Sequence, residues 1–273
     1  MKKFDGILIC TDLDGTLLKD DATISRENLD AIEYFKAEGG IFTFITGRMP
    51  FFVSHIYNIV NPNAPFGCIN GGGLYDHRTG EYLWTQQLPE SALDLVEYVD
   101  KNVEGIGIQI NTFGKVYFCR ENSAMESFRR ITNVPNLVCH YRDVKEPIGK
   151  IVFGDMEEEK IVRVQALLNS HPRASEFDFI RSEKTLYEIL PKGINKGTVL
   201  PKLTEFLNLD MKKTVAIGDY NNDIGMLRGA AVGIAVANAT EEAKQAADHI
   251  TVSNEEHAIA KVISDIEKGI LVF

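Results

Sequence analysis

The chain has 273 residues, with an apolar fraction of 44% and a charged fraction of 25%, average values for a folded protein of one large or two medium domains. The formal charge of -10, with no dense basic run, argues against nucleic acid as a partner, and no apolar stretch approaches the roughly 18 residues of a membrane span. An acidic chain that binds an anion needs a local positive site, because its overall field repels the ligand.

Residues 4–10 form a short apolar run ending in Thr11-Asp12, the pattern of a buried parallel strand that delivers polar residues at its carboxyl end. Ser25 is placed to cap a helix whose apolar positions Leu29, Ile32, Tyr34 and Phe35 share one face, and Gly39-Gly40 stops it. Residues 41–45 read as the next strand, followed by Thr46-Gly47-Arg48 and a helix opening near Pro50. Strand and helix alternate, so a parallel sheet is expected.

The rhythm changes after residues 66–69, where Asn70-Gly71-Gly72-Gly73 leads into a hairpin across 74–82. A second hairpin pairs 107–112 with 115–120 around Phe113-Gly114. A strand at 150–153, a helix over 157–169 and a strand pair across 177–190 continue a mixed pattern too long for a connecting loop. From Asn195 the first rhythm returns, with a helix to Leu207, a strand at 214–217, a helix from Asn222 and a strand at 232–236. The expected organisation is an α/β core domain of residues 1–83 and 191–273, split by an inserted α+β domain of residues 84–190.

Cys10, Cys68, Cys119 and Cys139 are widely spaced and form no C-x-x-C pair, so they are expected to be reduced core residues. The apolar run before Asp12 is too short for a secretion signal, and a cytoplasmic location is expected. The scattered histidines suggest no catalytic role.

Asp12-Leu13-Asp14-Gly15-Thr16 follows a strand, so alternation puts both carboxylates on one side of the chain as it leaves the sheet. That end of an open α/β sheet is where ligands bind. Asp219 stands at the end of another apolar strand, with Asn222-Asp223 opening the next helix. Strand-end carboxylates brought close together need neutralisation, and oxygen ligands favour a hard cation such as Mg²⁺. Thr46 offers a hydroxyl and Gly47 lets an oxyanion approach the backbone. Lys196, where the α/β rhythm resumes, is the natural phosphate clamp beside these acids.

The order of these features resembles the haloacid dehalogenase (HAD) superfamily, and more closely its Cof-type phosphatases, which carry a large cap between the second and third motifs. The stretch from Asp12 to Leu18 resembles the first motif, Thr46-Gly47-Arg48 the second, Lys196 the third, and Gly218-Asp219-Tyr220-Asn221-Asn222-Asp223 the fourth. Asn70-Gly71-Gly72 is similar to a segment near the cap junction of Cof-type members. The resemblance implies a Rossmann-like core with a parallel sheet and a cap that sets substrate specificity. It implies Asp12 as nucleophile, forming an aspartyl-phosphate, and Asp14 as acid and base. It further implies Mg²⁺ held by Asp12, the Asp14 carbonyl and Asp219, with Asp223 direct or through water. Phosphate oxygens would be held by the Leu13 amide, Thr46, Gly47, Lys196 and Asn222, and Arg48 is a further candidate for substrate contact.

The second acid, Asp14, separates phosphoryl transfer from dehalogenation. The expected activity is hydrolysis of small phosphate esters, sugar phosphates first and phosphorylated cofactors second, by a monomer or homodimer. A phosphomutase of the same superfamily and a non-catalytic metabolite-binding regulator are the alternatives.

Overall fold

The computed structural model describes residues 2–273. The chain divides into two compact units, Met1–Trp84 with Asn195–Phe273, and Thr85–Ile194.

The first unit opens with β1 (Leu8–Thr11), every residue of which is buried. It starts later than residue 4 because Ile7 N–H bonds to the Phe4 carbonyl at 3.0 Å and closes a turn ahead of the strand. α1 (Arg26–Ala37) begins where Ser25 Oγ accepts the Asn28 amide at 3.3 Å, the cap read from the sequence. Its buried face carries Ile32 and Phe35, and also Asn28, whose Oδ1 accepts the Ala260 amide at 3.0 Å. β2 (Ile41–Phe44) follows, then α2 (Pro50–Val60), with Pro50 in the first turn where its missing N–H costs nothing. β3 (Phe66–Cys68), β4 (Gly73–Asp76) and β5 (Glu81–Thr85) form a small three-stranded sheet.

The inserted unit builds its own core. It runs α3 (Ala92–Asn102), β6 (Gly107–Thr112), β7 (Val116–Arg120), α4 (Ser123–Thr132), β8 (Leu137–Val138), β9 (Ile148–Gly154), α5 (Glu158–Ser170), β10 (Phe177–Glu183) and β11 (Leu186–Pro191). The sheet order is β10-β11-β9-β6-β7-β8, antiparallel except for β7 with β8. Alternate residues Ile108, Ile110, Ile151, Phe153 and Ile189 turn one face of this sheet onto Val96, Val99, Ile161 and Val164 of α3 and α5.

The chain then returns to the first unit through α6 (Val199–Leu207), β12 (Thr214–Gly218), α7 (Ile224–Gly229), β13 (Val232–Ala235), α8 (Glu241–Ala246), β14 (His249–Ile250) and α9 (Ala258–Glu267). Its main sheet has the order β14-β13-β12-β1-β2 and is parallel throughout. The chain moves outward from β1 to β2 on one side, and from β12 to β13 and β14 on the other. The order therefore reverses between β1 and β12, the kind of crevice where α/β sheets bind ligands. Among the described residues no helix is long and apolar enough to cross a membrane.

Candidate active site

β1 and β12 lie side by side with Thr11 opposite Ile217, and the Asp12 amide extends the ladder by donating to the Ile217 carbonyl at 2.8 Å. This pairing joins residues more than 200 positions apart. It sets Asp12, just past β1, beside Asp219, just past β12. Asp223 belongs to the helical turn that follows, fully buried, and its Oδ2 accepts the Asp219 and Tyr220 amides at 3.0 Å each. One carboxylate oxygen from each of Asp12, Asp219 and Asp223 lies within 4.8 Å of the others.

Lys196 enters this group from a short turn, Lys196–Thr198, that Asn195 caps by accepting the Gly197 amide at 2.8 Å. Its side chain is 1% exposed, and Nζ donates to Asp12 Oδ1 at 2.7 Å and to Asp223 Oδ1 at 2.6 Å. Burial alone would lower the lysine's pKa, but Asp12 and Asp223 together more than offset it and hold the ammonium charged. Burial pushes the Asp12 carboxyl well above the usual carboxylate range; Lys196 pulls it down, and Asp223 and Asp219 push it up again. Asp219 is raised to about 6 by burial and by Asp223, against the pull of Lys196 and of Thr16, whose hydroxyl donates to its Oδ1 at 3.0 Å. Thr16 carried no assigned role in the sequence, although it lies within the first motif.

Asp14 stands apart from this cluster. Its carboxylate is largely exposed and is gripped by Arg48 in a two-pronged pair, Nε to Oδ2 at 2.9 Å and Nη2 to Oδ1 at 2.5 Å. Among the described residues the carboxylates close enough to share an ion are those of Asp12, Asp219 and Asp223, and the Asp14 side chain is not one of them. Arg48, expected to meet substrate, is thus paired with a site acid. Leu13 buries its side chain in the turn between Asp12 and Asp14.

Thr46 is buried after β2, its hydroxyl accepting the Arg48 amide at 3.1 Å. Gly47 packs on Asn70, whose Oδ1 would stand 2.7 Å from a Cβ at position 47. Asn222 reaches the same Asn70 Oδ1 through Nδ2 at 3.3 Å, while its own Oδ1 is buried with no partner among the described residues. Asn70 therefore belongs to the site; the Asn-Gly-Gly turn marked its position in the sequence without giving it a role.

With every group ionised, Asp12, Asp14, Asp219 and Asp223 have two cations beside them among the described residues, Lys196 and Arg48, which leaves two negative charges unbalanced. The donor set is all carboxylate oxygen, which suits a hard divalent cation.

Comparison with known proteins agrees with this geometry. A model of the haloacid dehalogenase-like hydrolase family matches residues 9–263. The 5-amino-6-(5-phospho-D-ribitylamino)uracil phosphatase YitU of Bacillus subtilis is 27% identical over 266 residues, covering 94% of this chain and 96% of that protein. The putative phosphatase YxeH of the same organism is 29% identical over 271 residues, covering 95% and 97%. Among solved structures, a haloacid dehalogenase-like hydrolase from Bacteroides thetaiotaomicron shares the fold with a TM-score of 0.80 at 24% identity, over 95% of this chain and 99% of that one. With its parallel core, its inserted second sheet and a match over nearly its whole length, the chain belongs to the haloacid dehalogenase-like hydrolases, within their phosphatase branch.

Proposed function

We propose that this phosphatase hydrolyses small phosphorylated metabolites with Mg²⁺, through a phosphoryl group carried transiently on Asp12. The observation that carries the reading is the buried Asp12–Lys196–Asp223 chain beside Asp219. It presents one oriented carboxylate at a strand end and leaves a charge deficit that a divalent cation would fill. When bound, Mg²⁺ would be held by Asp12, the Asp14 carbonyl and Asp219, and would neutralise charge on the phosphoryl oxygens. Both Asp223 oxygens already accept hydrogen bonds, which favours a contact through water.

In the first half-reaction an Asp12 oxygen attacks phosphorus in line, and the acyl–phosphate bond forms as the bond to the alcohol breaks. The Asp14 carboxyl gives its proton to the departing alkoxide. In the second, Asp14 takes a proton from water, whose oxygen attacks phosphorus, releases orthophosphate and restores Asp12. The Leu13 amide, Thr46, Gly47, Lys196 and Asn222 would hold the phosphoryl oxygens. For Asp14 to work as an acid its grip on Arg48 must loosen, and an arriving phosphate competes for the same guanidinium.

Arg48→Ala should therefore lower kcat/KM by about 10- to 100-fold, because substrate and acid both lose their positioning. Its melting temperature should barely move, since the pair is exposed and such pairs contribute about 0 to 1 kcal/mol. Steady-state kinetics beside thermal melts check both halves, and an unaltered kcat/KM would remove Arg48 from the mechanism.

A second expectation concerns metal and pH. Asp219 rises from its ordinary value of 3.8 to about 6 in the metal-free fold, so the folded state binds more protons than the unfolded chain between those values. Metal-free stability therefore falls as pH rises through that window. A divalent cation takes the ionised carboxylates, so its stabilisation should be largest above pH 6. Saturating MgCl2 is expected to raise the melting temperature by about 5 °C at pH 7.5 and by much less at pH 5. Equal shifts at both values would show that the ion binds elsewhere.

Sugar phosphates are the favoured substrates, and phosphorylated cofactors or their precursors come next. The ribitylamino-uracil phosphatase among the relatives acts, by its name, on a phosphorylated polyol chain joined to a heterocycle. We assign choice of the leaving alcohol to the inserted domain of residues 84–190. Four free cysteines fit a cytoplasmic enzyme, and the acidic charge argues against nucleic acid. A phosphate-release screen over sugar phosphates, nucleotides and phosphorylated vitamins, with and without Mg²⁺, tests the reading. Release of orthophosphate supports it; an isomerised phosphosugar would make the enzyme a mutase, and saturable binding without turnover a regulator.

A further inference from the structure

Between β3 and β4 three successive residues take left-handed backbone angles: Ile69 at φ 54°, Asn70 at 51° and Gly71 at 95°. A β-branched residue in that region is a steric outlier, and it persists only where its surroundings over-determine it. They do so here from both sides. The Ile69 amide donates to the Arg48 carbonyl and the Asn70 amide to the Thr46 carbonyl, each at 3.1 Å. On the other side, a Cβ on Gly71 would stand 1.9 Å from the Asn195 carbonyl oxygen, next to Lys196, so the backbone of the turn lies directly against that of Asn195. The turn is clamped between the loop of the second motif and the turn that carries Lys196.

At its centre Asn70 is fully buried, and its Oδ1 meets both the Asn222 Nδ2, at 3.3 Å, and the space beside Gly47. That hydrogen bond orients a carboxamide whose own oxygen has no partner among the described residues. Asparagine is suited to this position because it tolerates the left-handed region while carrying an amide.

We propose that Asn70 is a positioning residue, which fixes the Asn222 carboxamide against Gly47 so that the second and fourth motifs address one phosphoryl group together. The proposal rests on the phosphatase reading above. If the turn served only to reverse the chain, the Asn70 side chain would matter for folding and not for substrate.

The test is a double-mutant cycle of Asn70→Gly and Asn222→Ala, read by KM and kcat for p-nitrophenyl phosphate, the inhibition constant of inorganic phosphate, and thermal melts. Glycine keeps the left-handed backbone and removes the amide, so N70G should melt close to the wild type. It should raise KM and the phosphate inhibition constant roughly tenfold, the scale of one lost hydrogen bond near a charged ligand, with a smaller change in kcat. In the N222A background it should add less than about twofold, because the two residues act as one unit. Effects that multiply, or an unchanged KM and inhibition constant in N70G, would overturn the proposal. Asn70→Ser is run through the same cycle. Failure of both variants to fold would assign Asn70 a purely structural role and overturn the proposal as well. A wild type that releases no phosphate, or N222A with normal KM, would instead strike the functional reading whatever Asn70 does.

Discussion

Asp12→Asn is expected to lower kcat by at least about 10⁴-fold, the scale seen when a nucleophile is removed, while the fold survives. Asparagine keeps the shape of the side chain, but its carboxamide cannot attack phosphorus. Lys196 still holds Asp223 at 2.6 Å, so no buried cation is stranded. The substitution also removes one of three crowded carboxylates. Because burial raises the Asp12 pKa, ionised Asp12 destabilises the metal-free fold, and that cost grows as pH rises above the usual carboxylate range. The metal-free variant should thus melt at or above the wild-type temperature at pH 7.5, with the advantage shrinking toward pH 4. Kinetics and melts on the same preparation separate lost chemistry from lost structure. Normal turnover by the variant would eliminate Asp12 as nucleophile.

Lys196→Ala should damage both activity and stability. The ammonium is the cation that Asp12 and Asp223 share at 2.7 and 2.6 Å, deep in the fold. Removing one partner of a buried charge network typically costs about 3 to 5 kcal/mol, and in a protein of this size that corresponds to a melting temperature lower by roughly 10 °C. The loss should be greatest at neutral pH. At lower pH Asp12, whose pKa burial already raises, can take up a proton, and the deficit should shrink. Turnover should fall by about 10³-fold, because a donor to the transferring phosphoryl group is gone. Lys196→Met keeps most of the volume, so a deficit common to both variants reports the charge and not the cavity. A variant that melts normally at pH 7.5 would contradict the role given to this lysine.

Much of the core was legible because its signals are local. The apolar runs that became β1, β2, β12 and β13 end in polar residues, and Ser25 stands where a helix needs an acceptor. The insert was legible as a change of rhythm, and the hairpin of β6 and β7 came through its β-branched and aromatic flanks. α3 and α4 are not among the elements expected from the sequence, although Ala92, Val96 and Val99 of α3 recur at helical spacing.

The site was legible as residues more than as contacts. Asp12 and Asp219 could be named from their motifs, but their adjacency depends on the pairing of β1 with β12, which no local pattern encodes. Lys196 was expected to face phosphate, and the structure shows that two carboxylates already hold it. The hold of Arg48 on Asp14 joins side chains from two loops after adjacent strands, and charge alone could not choose it among the chain's other pairs. Asn70 was hidden for a further reason: its side chain acts through a backbone shape that a β-branched neighbour at position 69 would ordinarily forbid.

The central claim is that phosphate passes through the Asp12 carboxylate. The direct measurement is to quench the enzyme with acid during turnover of a phosphate ester with Mg²⁺, reduce it with borohydride, which converts an aspartyl phosphate to homoserine, and map the peptides by mass spectrometry. Homoserine at position 12 in the wild type, absent without substrate and absent in Asp12→Asn, is the predicted result. Steady release of orthophosphate with no adduct at position 12, or with the adduct on another residue, would contradict it.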